Sequence, residues 1–227
     1  MLVIPKLLSS LAPLCDTESS RYALGGVRLE RDGETAHAIV TDGRKLVAVE
    51  WTDSDTPETE RVELYATMIP AAACKAIDKA AGPVSKRNPK LGRVAIDEPS
   101  TNGTITATAY GKAGQSALTV DTLEGRFPMW RDVIPPRDFA SSISAPAQKL
   151  RGNAKITATR GDYVAITLDP IYLAEVCTAL AKIATTDTSR GVEVFVPVDG
   201  ESAVVIKAVA DDRPKATGVI MPLARDK

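Results

Sequence analysis

Apolar and polar positions fall into a sequence of runs that occurs three times along the chain. Each copy has a short apolar run ending at a proline, a stretch of helical periodicity, and then several runs of strand-like alternation. The openings are MLVIP at 1–5, TMIP at 67–70 and ITLDP at 166–170. Proline suits the first turn of a helix, where its missing N–H would have been unpaired in any case. In the third copy Leu173, Val176, Cys177 and Leu180 recur at helical spacing, so one face of that helix is expected to lie on a sheet. The strands predicted after the first opening are YALGGVRLE, AHAIVTD and KLVAVEW. RVAID, GTITATAY and SALTVDTL follow the second, and VEVFVPV, AVVIKAV and TGVIMPL the third. Turn signals at Arg31-Asp32-Gly33, Asn102-Gly103 and Asp199-Gly200 separate neighbouring strands. The pattern as a whole predicts an α+β chain built from a repeated strand, helix and three-strand unit.

The spacing of the copies is uneven. The opening prolines stand at 5, 70 and 170, and the longer second interval is still too short for a complete extra unit. Residues 137–165 (RDFASSISAPAQKLRGNAKITATRGDYVA) contain no convincing amphipathic helix, only the strand-like KITAT at 155–159. The domain boundary is therefore expected near 136, at Pro135-Pro136, giving a complete domain over 1–136 and a shortened one over 137–227.

Composition adds limits. At 227 residues, with 44% apolar, 25% charged and 4% aromatic side chains, the chain has the make-up of a globular protein poor in large rings. No run approaches the length of a membrane span. The apolar start lacks a basic leader and is interrupted by Pro5, so a cytoplasmic, non-membrane protein is expected. Cys15, Cys74 and Cys177 are odd in number and lie in apolar helical patterns, which predicts reduced core residues. The net charge of −1 argues against an indiscriminate nucleic-acid binder. Yet between 70 and 93 Lys75, Lys79, Lys86, Arg87, Lys90 and Arg93 face one acid, Asp78. On charge alone that segment reads as a solvated helix face and loop.

Chemistry-bearing motifs are few. His37, the only histidine, sits inside an alternating strand, and no nucleophile motif accompanies it. There is no CxxC pair, HExxH or EF-hand spacing, and GGVRLERDG lacks the pattern of a phosphate-cradling loop. Asp53, Asp55, Glu58 and Glu60 read as a solvated loop, with a metal site the lesser alternative. No catalytic activity, metal or cofactor is expected.

Four separated segments point elsewhere: RYALGGVRLE at 21–30, TDGRKL at 41–46, GRFPMWRDVIP at 125–135 and VIMPL at 219–223. In order and approximate spacing they resemble the signatures of the bacterial DNA sliding clamp, the β subunit of the replicative polymerase. The resemblance implies a clamp fold of repeated βαβββ units, antiparallel sheets outside and helices inside. Residues 1–136 are similar to the clamp's middle domain and 166–223 to the second half of its last domain. It also implies a groove that takes clamp-motif peptides. By the match, the groove would be lined by Leu24, by Thr41, Gly43, Arg44, Lys45 and Leu46, by Pro128, Arg131 and Val133, and by Val219, Ile220, Met221, Pro222 and Leu223. The chain departs from the family in having Arg44-Lys45 where His-Arg is more common and Asp132 where a basic residue is common. It also continues past the family's usual end with Ala224 to Lys227, which could partly cover the groove.

The expected function is that of a sliding-clamp-like processivity factor. Its partners would be double-stranded DNA, polymerases and other clamp-motif proteins, a clamp loader, and further copies of the chain in a ring. Lys75, Lys79, Lys86, Arg87 and Lys90 would face DNA. The alternative is a non-encircling peptide-binding adaptor or decoy of the replication machinery.

Overall fold

In the computed structural model, the described residues are 1–4, 6–18, 24–52, 64–82, 93–97, 99–112, 114–134, 168–184, 191–197, 202–209 and 215–223. The expected boundary at 136, the segment 137–165, the acidic run around Asp53, Asp199-Gly200, the tail from Ala224, and the basic residues Lys86, Arg87 and Lys90 lie outside them.

The first unit is β1 (Leu2–Val3), α1 (Leu7–Leu11), β2 (Gly26–Asp32), β3 (Thr35–Thr41) and β4 (Lys45–Thr52). The second is β5 (Leu64–Pro70), α2 (Ala71–Ala81), β6 (Val94–Ile96), β7 (Thr104–Gly111) and β8 (Gly114–Asp121). After a short α3 (Trp130–Val133) come α4 (Pro170–Ala184), β9 (Gly191–Phe195), β10 (Val204–Val209) and β11 (Lys215–Ile220). Among the described residues the third unit shows no opening strand, since Leu168 and Asp169 are not extended into a ladder. Instead Asp169 caps α4 by accepting the Ile171 N–H at 2.8 Å, and Pro170 takes the first helical position.

The opening strands cross over. β1 pairs with β6, and β5 pairs with β2, so each unit lends its first strand to the other's sheet. One sheet has the order β1-β6-β7-β8, and the other runs β5-β2-β3-β4-β11-β10-β9. The join between β4 and β11 is antiparallel, with Leu46 opposite Val219 and Ala48 opposite Thr217. That join brings segments 41–52 and 215–223 side by side.

Strand alternation sorts the side chains onto two faces. Val40, Val47, Val49, Ala216 and Ile220 point toward the helices, where they meet Leu7, Leu8 and Leu11 of α1, Cys74 and Ile77 of α2, and Val176 and Leu180 of α4. Ile39, Leu46, Ala48 and Val219 point the other way, into a smaller cluster closed by Met68, Phe127 and Trp130. The expected α4 face is thus present, with Val176 and Leu180 fully buried and Leu173 and Cys177 half-buried. The three cysteines are free; burial pushes the Cys15 thiol up to about 12 and raises Cys74 and Cys177 as well.

Helix α4 can reach β11 only because position 218 is glycine. A Cβ there would collide with Val176 Cγ1, and in a helix valine holds essentially one rotamer. Gly218→Ala is expected to lower stability by about 1 to 2 kcal/mol through this overpacking, read by thermal unfolding. Combining it with Val176→Ala should recover part of the loss, and additive losses would show that the contact does not exist.

Candidate functional site

On the outer face of the β4–β11 join lies a cavity of about 400 Å³. Its first wall is the loop entering β4. Asp42 Oδ1 accepts the N–H groups of Arg44 and Lys45, both at 2.9 Å, and Thr41 Oγ1 accepts the Gly43 N–H at 3.1 Å while donating to the Lys45 carbonyl at 2.7 Å. This is a self-bonded aspartate turn, and Gly43 takes the positive φ of 87° that it needs. The loop is tied to the third unit at three points. Lys45 Nζ pairs with Asp42 at 2.6 Å and Glu175 at 2.9 Å, Arg44 donates to the Tyr172 hydroxyl at 2.9 Å, and the Met221 N–H donates to the Arg44 carbonyl at 3.0 Å. Burial raises the Asp42 carboxyl, but its hydrogen bonds with Lys45 and Arg44 outweigh this and hold it below its ordinary value. Burial lowers Lys45, and the two carboxylates reverse the effect, leaving it raised.

The second wall is the segment before and within α3. Phe127 and Trp130 are buried in the outer cluster, and Glu30 on β2 fixes them there. Its carboxylate accepts from Arg28 at 2.6 Å, Trp130 Nε1 at 3.2 Å and Arg131 at 3.0 Å. Arg28 lies over the Phe127 ring and Arg131 over the Trp130 ring, 5.5 and 4.3 Å from their centroids. Burial pushes the Glu30 carboxyl up, but these donors outweigh it and the group sits below its ordinary value. With Trp130 anchored, Met129 and Val133, one helical turn apart, present themselves to the cavity.

This arrangement matches solved structures over nearly its whole length. The Helicobacter pylori beta clamp bound to a DNA ligase peptide aligns with a TM-score of 0.67 at 13% identity, over 98% of this chain and 64% of that one. The chain has the fold of the bacterial DNA sliding clamp. The Pseudomonas aeruginosa DNA polymerase III subunit beta matches with a TM-score of 0.60 at 15% identity, over 99% of this chain and 66% of that one. The Streptococcus pneumoniae DNA polymerase III beta chain gives 0.66 at 16%, over 99% and 64%. The chain spans about two thirds of the length of these clamps, and at such identities the likeness is one of fold. No protein-family model matches the sequence, and no curated protein does.

Within this clamp fold the residues expected at the groove divide. Leu24, Thr41, Gly43, Arg44, Lys45, Leu46, Pro128, Val133, Val219 and Met221 line the one cavity. Ile220 does not: alternation turns it away from Val219 and into the helix-side core, fully buried. Arg131 is committed to Glu30 and the Trp130 ring instead of the cavity. Pro222 and Leu223 follow β11 beyond its lining, the first half-buried and the second exposed. Two lining residues were missed, Arg126 and Met129. Met129 had a signal, because it stands four positions before Val133 and next to the buried Trp130. Arg126 had none that distinguishes it from other loop arginines.

Of the basic residues expected to face DNA, Lys75 and Lys79 are exposed one turn apart on α2, on the helix side of the fold. Asp78, the acid among them, is turned inward, where its Oδ2 accepts the Ser9 N–H at 2.7 Å and burial raises its carboxyl above the ordinary value. His37 lies on β3 with its ring 5.5 Å from that of Trp130. Burial, with Arg131 adding to it, holds the imidazole below its ordinary value and therefore neutral at neutral pH. Among the described residues no group of three or more His, Cys, Asp or Glu could hold a metal ion, and no helix is long and apolar enough to cross a membrane.

Proposed function

We propose that the chain is a non-catalytic, clamp-type processivity factor whose outer groove captures clamp-motif peptides of polymerases and repair proteins while its helix side faces double-stranded DNA. One observation carries the peptide part. Among the described residues seven large apolar side chains are exposed, and three of them, Met129, Val133 and Met221, line this cavity. Its volume falls within the range of ligand pockets, and methionines at its mouth suit a site shared by several partners. Support comes from the similarly folded Helicobacter pylori clamp, which carries a DNA ligase peptide. One or two leucine or phenylalanine side chains, each contributing roughly 1.5 to 3 kcal/mol on burial, correspond after ordering costs to about micromolar affinity.

For the DNA part, Lys75 and Lys79 supply a modest positive face that holds phosphates without base contacts, as sliding requires. Reversing both charges to glutamate is expected to reduce retention on circular duplex DNA at least tenfold and to flatten its salt dependence by about two phosphate contacts. Retention equal to the unaltered chain removes that assignment. Light scattering on the eluting protein separates the two ways of acting. A closed oligomer supports encirclement, whereas a monomer at micromolar concentration supports the adaptor or decoy.

A further inference from the structure

Beside the groove, on the same outer face, lies a second cavity of about 280 Å³, and α3 forms the partition between them. Met129 and Val133 face the first cavity, while Trp130 and Ile134 line the second. The strand register sets the distance. Directly opposed residues share a face, so the outer surface of β3, β4 and β11 is a ladder whose rungs are Thr41–Leu46–Val219, Ile39–Ala48–Thr217 and His37–Glu50–Lys215. The first rung lines the groove and the third lines the second cavity, four residues further along each strand. At the rise of an extended chain that is about 13 Å, and Lys207, level with the second rung, stands about half as far along the strand direction.

Why a hollow exists there is plain from residue size. Ala48 and Thr217 form a low floor between taller Trp130 and the lysines. The charges around it are unequally engaged. Glu50 is held by Lys215 at 2.9 Å and stands 3.5 Å from His37. Lys207, next to Thr217 in the ladder, places its ammonium 4.9 Å from the Phe195 ring centroid. Among the described residues it has no carboxylate partner, although the exposed Glu193 is its neighbour on β9. Among the described residues the hollow therefore offers one cation without an ion-pair partner, an aromatic wall and a floor without bulk.

We propose that the second cavity is a distal subsite of the groove, receiving an acidic side chain of the same extended peptide, about two to four residues from its apolar anchor, on the Lys207 ammonium. The inference rests on the peptide reading of the groove and adds a chemical specificity to it. A carboxylate suits the site because the spare charge is positive, and an extended chain suits it because the two cavities are spaced along the strand direction.

The test uses labelled peptides of equal length with the same apolar anchor, carrying either Glu or Gln two or four residues away, on either side of it, titrated by fluorescence anisotropy. The unaltered protein should prefer the Glu peptide of one polarity by about fivefold. Lys207→Gln should erase that preference while leaving the Gln peptide bound as before, which also shows the variant to be folded, and Lys207→Glu should invert it. Equal binding of Glu and Gln peptides in both polarities overturns the subsite and leaves the groove standing. If no peptide binds the unaltered chain, the groove reading falls and the subsite falls with it.

Discussion

Met221→Asp should weaken capture of a clamp-motif peptide at least about a hundredfold, with little change in stability. The backbone of Met221 is fixed by its N–H bond to the Arg44 carbonyl, and its side chain, 44% exposed, stands at the mouth of the cavity with Val219 and Leu46 behind it. An apolar anchor seated there takes water away from this position. The substitution removes roughly 1.5 to 3 kcal/mol of apolar contact and leaves a carboxylate to be desolvated against a hydrocarbon surface. Because the unliganded protein exposes the position, the folded state loses little, and thermal unfolding should move by no more than about 0.5 kcal/mol. Met221→Leu should keep affinity within a few-fold, since volume and polarity are conserved. Anisotropy titration of both variants decides the matter. Undiminished binding by the aspartate variant would exclude the cavity as the peptide site.

The second large effect concerns Lys45, whose side chain is 8% exposed between the carboxylates of Asp42 and Glu175, with its ammonium 4.4 Å from the Tyr172 ring centroid. Lys45→Met should cost about 3 kcal/mol, toward the lower end for breaking a buried ion pair because Glu175 reaches water. In a chain of this size that is a fall in Tm of about 6 to 12 °C. Adding Asp42→Asn should cost less than the sum of the two changes, whereas additivity would mean that the pair is not coupled. The pH dependence has a definite sign. Asp42 is depressed below the ordinary 3.8, so its contribution is complete above that value and disappears as pH falls through the lower folded value. Lys45 is raised above 10.5, so its contribution is complete below that value and is lost as pH climbs through the higher folded one. The network therefore holds throughout the neutral range. In Lys45→Met the acid loss of stability should be shallower than in the unaltered protein, because much of what protonating Asp42 destroys is already gone.

Much of the fold was legible because its signals are local. Period-two runs such as AHAIVTD and KLVAVEW gave β3 and β4 within a residue or so, and Pro170 stands at the start of α4 as the proline openings imply. The alternation in VIMPL also held the information that Ile220 faces away from Val219, although the match of segments grouped them together. The Asp42 turn was not among the turns read from the sequence, although TDG carried its signal, since aspartate followed by glycine has its own turn chemistry. Other features depend on partners distant in sequence. Nothing within GRFPMWRDVIP shows that Trp130 and Arg131 meet Glu30, about a hundred positions earlier, or that this fixes which side chains are left to face the cavity. The exchange of β1 and β5 was equally hidden, because a two-residue strand carries too little pattern to name its neighbour.

That exchange governs how the chain acquires its shape. Leu2 finds its ladder partner only at Ala95, so β1 waits for more than ninety further residues before it can pair. At ordinary synthesis rates the wait is roughly 5 to 20 s. Until residue 70 is made, the sheet of β2, β3 and β4 also lacks its edge strand β5, which opens the unit that receives β1. Neither half is a folding domain, and excising residues 1–52 as a separate protein would remove a strand from both sheets. Over residues 1–121 the two units share one nucleus and should melt in a single transition, with protease resistance arriving all at once.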